Sequence, residues 1–164
     1  MIVAAVTPSA GAFDGREHAL AVRVYYEDTD FTGLVYHANY VRYFERGRSD
    51  YLRLAGIGHA QLLERSDPCA FVITHLAIAF QAPARIDDAL EVRTAYDTIR
   101  GPRLFIRQWV RRGDQILATA DVEAACITLA GKPRRPPADL IAALEPRLLA
   151  LKARGGGKSL TRRP

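Results

Sequence analysis

One change of hydrophobic period governs what this chain can fold into. From Ala19 to Glu27, Leu20, Val22, Val24 and Tyr26 alternate with Arg23, Tyr25 and Glu27, the period of two expected of a strand with one buried face. After a turn at Asp28 to Gly33 the period becomes helical from about Asn39. Tyr40, Tyr43, Phe44, Gly47, Tyr51, Leu54 and Ala55 then share one face, and Arg42, Arg46, Ser49 and Arg53 the other. Asn39 is the candidate cap, and Gly56 and Gly58 end the helix. Period two returns in four runs, Ala70–Gln81, Ala89–Ile99, Arg103–Arg112 and Gln115–Ala130. Between them stand turn signals: Pro83 with Asp87-Asp88, then Arg100-Gly101-Pro102, then Gly113-Asp114. Turns this short join antiparallel neighbours. One strand, one long helix and four hairpin-linked strands predict an α+β fold, a single antiparallel sheet wrapped around one long central helix. Such a sheet leaves an edge and a face underprotected. The pattern therefore predicts an oligomer, a homodimer or homotetramer, built by pairing through the edge strand.

At 164 residues the chain fits one main domain. The expected division is a flexible leader over 1–18, the main domain over 19–137, and a C-terminal helix with a basic, disordered tail over 138–164. Within the last part, 139–153 has helical spacing that Pro146 should kink or split. The net charge of +5 belongs to this end. Residues 131–164 hold nine Lys/Arg against Asp139 and Glu145, while the first 130 hold fourteen against sixteen Asp/Glu. A basic tail suits a polyanionic partner, or simply keeps the chain solvated. Tyr and Phe are absent from 131–164, which removes the stacking platform that nucleic-acid binding would use there. Cys69 and Cys126 lie in apolar runs without C-x-x-C spacing and read as buried thiols, not as a disulfide or metal site. The sequence has no metal-ligand cluster and no apolar stretch of membrane-spanning length. The short run Ile2 to Val6 lacks the basic flank of a signal peptide, so a cytoplasmic protein is expected.

The stretch YYEDTDFTGLVYHANYVRYFERGRSDY, Tyr25 to Tyr51, leaves a strand, crosses an acidic turn and enters the helix. It sets a carboxylate beside a helix N-terminus, whose free N–H groups can hold a developing oxyanion. That is a layout for hydrolysing an activated acyl group. Asp28-Thr29-Asp30, Gly33, Val35-Tyr36-His37-Ala38-Asn39-Tyr40 and Phe44-Glu45-Arg46 are followed by Pro83-Ala84-Arg85 with Asp87-Asp88, then by Gly131-Lys132-Pro133-Arg134-Arg135-Pro136. In this order the pieces resemble the hotdog-fold acyl-CoA thioesterases of the 4-hydroxybenzoyl-CoA thioesterase type. The resemblance covers about residues 19–137 and lies nearest the branch associated with the bacterial Tol-Pal cluster.

The resemblance implies a hotdog fold and an enzyme that hydrolyses acyl-CoA thioesters to free acid and CoA, with no metal or redox cofactor. The family's catalytic carboxylate maps to Asp30, either as nucleophile on the thioester carbonyl or as base toward water. Its oxyanion donor maps to the backbone N–H of His37, whose imidazole is a further candidate to orient water or protonate the leaving thiolate. Asp28 reads as the structural member of the acidic pair. Gly33, Val35, Tyr36, Asn39 and Tyr40 map to substrate-binding positions, and Arg85, Arg134 and Arg135 are the candidates for the CoA phosphates. Glu45 is a backup carboxylate, since some hotdog thioesterases use a helix-borne glutamate; a salt bridge with Arg48 is its plainer role.

On local chemistry alone Asp30 reads as a turn or capping aspartate ahead of a catalyst; the resemblance reverses that preference. Substrates from short- or medium-chain acyl-CoA to aryl-CoA fit the pattern, as does an acyl group on an acyl carrier protein. A hotdog dehydratase is a weaker enzymatic reading, because its helix carboxylate and histidine are not arranged as here. The alternative from another class is an acyl-thioester or acyl-carrier-protein binding or scaffold protein with little turnover, whose acidic partner would match the basic tail.

Overall fold

The alternating runs become strands because each can bury one face against the same helix. The computed structural model describes residues 8–150. Its strands are β1 (Ala12–Asp14), β2 (Glu17–Arg23), β3 (Cys69–Phe80), β4 (Ala89–Arg100), β5 (Arg103–Arg112) and β6 (Gln115–Thr128). They form one antiparallel sheet in the order β1-β2-β4-β5-β6-β3. The helices are α1 (His37–Leu54), α2 (His59–Leu63) and α3 (Ala138–Leu144). β4, β5 and β6 are successive hairpins, as the short turns require. β3 crosses instead to the far edge and pairs only with β6, with a bulge between Ile73 and His75.

The helix α1 lies across β4, β2 and β5. Its buried face carries Tyr40, Tyr43, Phe44, Gly47 and Tyr51, as the spacing predicts, while Leu54 is exposed. Burying Phe44 alone stabilises by about 1.5–3 kcal/mol. Close approach to the sheet depends on Gly47, where a Cβ would stand 2.8 Å from Thr94 Oγ1 and 3.0 Å from Val92 Cγ1. A buried polar tie lies in the same contact. Gln108 Nε2 donates to the Phe44 carbonyl and to Thr94 Oγ1, each at 2.8 Å, while Gln108 Oε1 accepts from Arg48 Nη1 at 2.8 Å. Each buried group thereby regains what it loses on leaving water. Cys69 and Cys126 are free and buried, as expected.

Four boundaries differ from the sequence reading. The expected leader over 1–18 does not hold over its last part, because β1 pairs with β2 and His18 is fully buried. Asp50 of α1 draws this end in, accepting from the Gly11 N–H at 2.7 Å and contacting His18 Nε2 at 2.8 Å; residues 1–7 lie outside the described residues. The first strand stops at Arg23 because Asp28 Oδ2 takes the Tyr25 N–H at 2.8 Å and Tyr26–Asp28 winds into a 3-10 turn. α1 begins at His37 with Tyr36 as its cap, so Asn39 sits inside the first turn and is not the cap. The C-terminal helix ends at Leu144, and Glu145–Arg147 forms a 3-10 turn around Pro146, the break that proline enforces. The basic tail beyond 150 lies outside the described residues. Among the described residues, no helix is long and apolar enough to cross a membrane.

Candidate active site

The segment between Asp28 and Tyr36 is a small closed loop. Thr29 bridges to Val35, the Asp30 N–H donates to the Leu34 carbonyl at 3.0 Å, and the Gly33 N–H returns to the Asp30 carbonyl at 3.0 Å. Gly33 holds the tip in a left-handed conformation, φ +76°, which glycine adopts without a Cβ penalty. At the root, the Asp28 carbonyl accepts from the Tyr36 N–H at 2.9 Å and from Asn39 Nδ2 at 2.7 Å. The buried Asp28 carboxylate caps the preceding turn, as its structural assignment requires. Tyr43, fully buried nearby, has its hydroxyl pKa pushed up by burial and by the Asp28 carboxylate.

Asp30 projects from this loop into solvent. Its Oδ1 accepts from the Thr32 hydroxyl and, at 2.8 Å, from the Thr32 N–H. These bonds hold the carboxyl pKa below its ordinary 3.8, with a smaller contribution from His37. Asp30 is therefore ionised at neutral pH, and no bond among the described residues engages its Oδ2.

The loop docks on the chain that follows β3. The Val35 N–H donates to the Ala84 carbonyl at 2.9 Å, Leu34 bridges to Arg85, and the Ala84 N–H donates to Tyr40 Oη at 3.1 Å. A cleft of about 390 Å³ opens between loop, helix and strand end, lined among others by Asp30, Val35, His37, Tyr40, Phe80 and Pro83. Helix α1 enters this cleft with no side-chain cap and no acidic residue in its first turn. The first N–H groups of an α-helix lack intrahelical acceptors and carry its positive dipole end. An ionised carboxylate and uncapped helical N–H groups thus border one cavity, with the His37 ring between Tyr36 and Phe80, at centroid separations of 4.4 and 6.5 Å.

Asp30, Val35, His37 and Tyr40 are brought together. Gly33 shapes the loop tip, Tyr36 stacks beside His37, and Asn39 is buried with its amide on the Asp28 carbonyl instead of open to a ligand. Glu45 does not join them. It lies about 12 Å further along the helix axis than His37 at ~1.5 Å per residue. Its carboxylate is taken by Arg48 Nη2 and the Ser49 hydroxyl, both at 2.7 Å. Arg85 is exposed next to Leu34. Arg134 is paired with Asp67 and, with the exposed Arg135, stands by the start of β3, because Thr128 at the end of β6 faces Cys69. The cleft is at the other end of that 12-residue strand, roughly 36 Å away at ~3.3 Å per residue. One chain therefore does not bring Arg134 and Arg135 to its own cleft. The sequence reading missed Thr32 and Phe80. The Asp-x-Thr spacing, a recognised side-chain turn, signalled the first; nothing signalled the second.

One antiparallel sheet wrapped around a long central helix is the hotdog fold. The sequence model described as the thioesterase-like superfamily matches residues 24–144. The acyl-CoA thioesterase YbgC of Haemophilus influenzae is 43% identical over 108 residues, 66% of this chain and 79% of that protein. The acyl-CoA thioester hydrolase YbgC of Escherichia coli O157:H7 is 40% identical over 123 residues, 74% of this chain and 90% of that one. A probable thioesterase from Bartonella henselae superposes with a TM-score of 0.72 at 43% identity, covering 74% of this chain and 99% of that one. A mutant 4-hydroxybenzoyl CoA thioesterase complexed with 4-hydroxybenzoyl CoA superposes at 0.74 with 23% identity over 79% and 99% of the two chains, sharing the fold. The chain belongs to the thioesterase-like superfamily.

Proposed function

We propose that this protein hydrolyses short- to medium-chain or aryl acyl-CoA thioesters to free acid and CoA, using Asp30 and the N-terminus of α1. The observation that carries the reading is an ionised carboxylate with a free oxygen across one cleft from uncapped helical N–H groups. A thioester carbonyl seated there would direct its oxygen at the His37 N–H, which becomes a stronger partner as the oxygen gains charge. Asp30 then either attacks the carbonyl carbon, giving a mixed anhydride that water cleaves, or takes a proton from an attacking water. Both routes expel a thiolate, and the His37 imidazole, which lines the cleft, is the candidate to protonate it. Oδ2 of Asp30, uncommitted within the described residues, favours turnover over a scaffold that only binds acyl thioesters. An acyl group on an acyl carrier protein is an equivalent substrate at the carbonyl.

Thiol release across a panel of acyl-CoA esters tests this reading. Wild type should turn over at least one chain length, and Asp30→Asn should lose most of the activity, on the order of 100-fold or more. Single turnover in ¹⁸O-water identifies the nucleophile route where label enters Asp30, which requires an anhydride that water cleaves at the aspartyl carbonyl. A folded wild type silent toward every ester would remove the assignment.

Edge strand β3 is long and carries exposed Val72 and Ile73. We infer a homodimer in which β3 pairs antiparallel with its copy, the remedy for an open apolar edge. Antiparallel pairing brings the start of one β3 beside the end of the other. The partner subunit's Arg135 then stands near this chain's cleft, where CoA phosphates need cations.

A further inference from the structure

We propose that Asn39 is a positioning residue, whose side-chain amide holds the Asp30 loop in register with the first turn of α1 by donating to the Asp28 carbonyl. The inference rests on the thioesterase reading of the site and concerns how that site is kept assembled. Asn39 is 5% exposed, so its amide is unavailable to a ligand in the cleft. Its Nδ2 reaches the Asp28 carbonyl at 2.7 Å, and the Tyr36 N–H reaches the same oxygen at 2.9 Å. One carbonyl therefore ties together the exit from the 3-10 turn, the closing residue of the loop and the third residue of the helix. The side chain of Asp28 is fixed as well, through the Tyr25 N–H at 2.8 Å. Asp30 lies two residues beyond this anchor, and Thr29 and Val35 bridge the loop between. Nothing in helix formation itself asks for asparagine inside a first turn. The amide's use is the carbonyl eleven residues back.

Without this bond, the loop keeps its internal closure but loses one of two ties to the helix. A displacement of about 1 Å between a catalytic group and its partner can cost on the order of 100-fold in rate. The loss should fall on kcat, because the groups that line the cleft for the substrate are unchanged.

The test compares Asn39→Ala and Asn39→Asp with wild type and Asp30→Asn, measuring kcat, KM and melting temperature from pH 8 to pH 5. Asn39→Ala should lose roughly 10- to 100-fold in kcat with KM within about threefold. Asn39→Asp keeps the shape, but an ionised carboxylate cannot donate to a carbonyl. Burial raises the pKa of such a group, and once protonated its O–H can donate to the Asp28 carbonyl. The activity of Asn39→Asp relative to wild type should therefore climb as pH falls, while that of Asn39→Ala stays level. Asp30 remains ionised over this range because its own pKa lies below 3.8.

A purely structural role would move both ratios together or neither. Wild-type kcat in Asn39→Ala, or a level ratio for Asn39→Asp, overturns the positioning role. If Asn39→Ala fails to fold, the pH response of Asn39→Asp alone decides it. A wild type with activity and an inactive Asp30→Asn leave the thioesterase reading standing whatever the Asn39 variants do. A wild type without activity removes both.

Discussion

At the scale of single residues, the proposed chemistry turns on how Asp30 is kept charged. Its exposure alone would leave it an ordinary surface carboxylate. The two Thr32 donors favour the ionised form and lower its pKa. The proposed mechanism needs the anion, so the acid limb of the pH–rate profile should lie below the ordinary aspartate value in wild type and rise as the Thr32 hydroxyl is removed. In Thr32→Val the N–H bond remains, and the limb should move part of the way up toward the ordinary aspartate value. Profiles of kcat/KM for the two proteins check this; coincident acid limbs would mean that another group sets them. That Asp30, His37 and Tyr40 come together at one cleft was legible because the carboxylate, the turn and the helical period are written in adjacent residues. The place of Asn39 was not. Asparagine suits a helix cap equally well, and a buried backbone carbonyl as its partner leaves no mark on the side-chain pattern.

At the scale of elements, α1 owes its seat to Gly47. A methyl there would meet Thr94 Oγ1 at 2.8 Å and Val92 Cγ1 at 3.0 Å, both on the central strand β4. Gly47→Ala is expected to cost about 1–3 kcal/mol by overpacking. The melting temperature should fall by on the order of 2–4 °C for each kcal/mol. Calorimetry of the pair would show it, and an unchanged melt would mean that the helix slides without loss. The four later strands were readable because alternation and turn residues are local signals, and β5 came out with the boundaries that its alternation gives, but the expected hairpin between β3 and β4 does not form. β1 was not readable, since three residues show no period and the segment is anchored on either side, at Gly11 and His18, by Asp50 far along the chain on α1. The five-residue α2 is too short to declare a period. Short elements draw their reason from tertiary contacts, which sequence periodicity does not record.

At the scale of the whole molecule, the cleft and the cationic end of β6 are separated by the length of β3. This separation gives the dimer proposal a decisive test. Asp30→Asn and Arg135→Gln chains, each impaired alone, should regain activity on mixing and subunit exchange. One site of a mixed dimer then has its aspartate from one chain and its arginine from the other. Absence of recovery in verified mixed dimers would place Arg135 outside the site or in its own chain's site. The antiparallel sheet and the central helix were legible from element order, but the crossover that sets β3 beside β6 was not. The distance between Arg134–Arg135 and Asp30 was not, because motif order along a sequence says nothing of which strand ends meet.

The crossover that puts β3 at the far edge also sets a schedule for synthesis. β3 is translated before β4 and β5 yet pairs with neither; among the described residues its one partner is β6, which is translated last of their strands. A nascent chain must therefore carry a long strand, with Val72 and Ile73 among its side chains, through an interval when no hydrogen-bonding neighbour exists. Pairing across so long a separation closes late and slowly, and unpaired apolar strands are the segments most open to wrong association. For this protein the hazardous moment is the wait on the ribosome for residue 128.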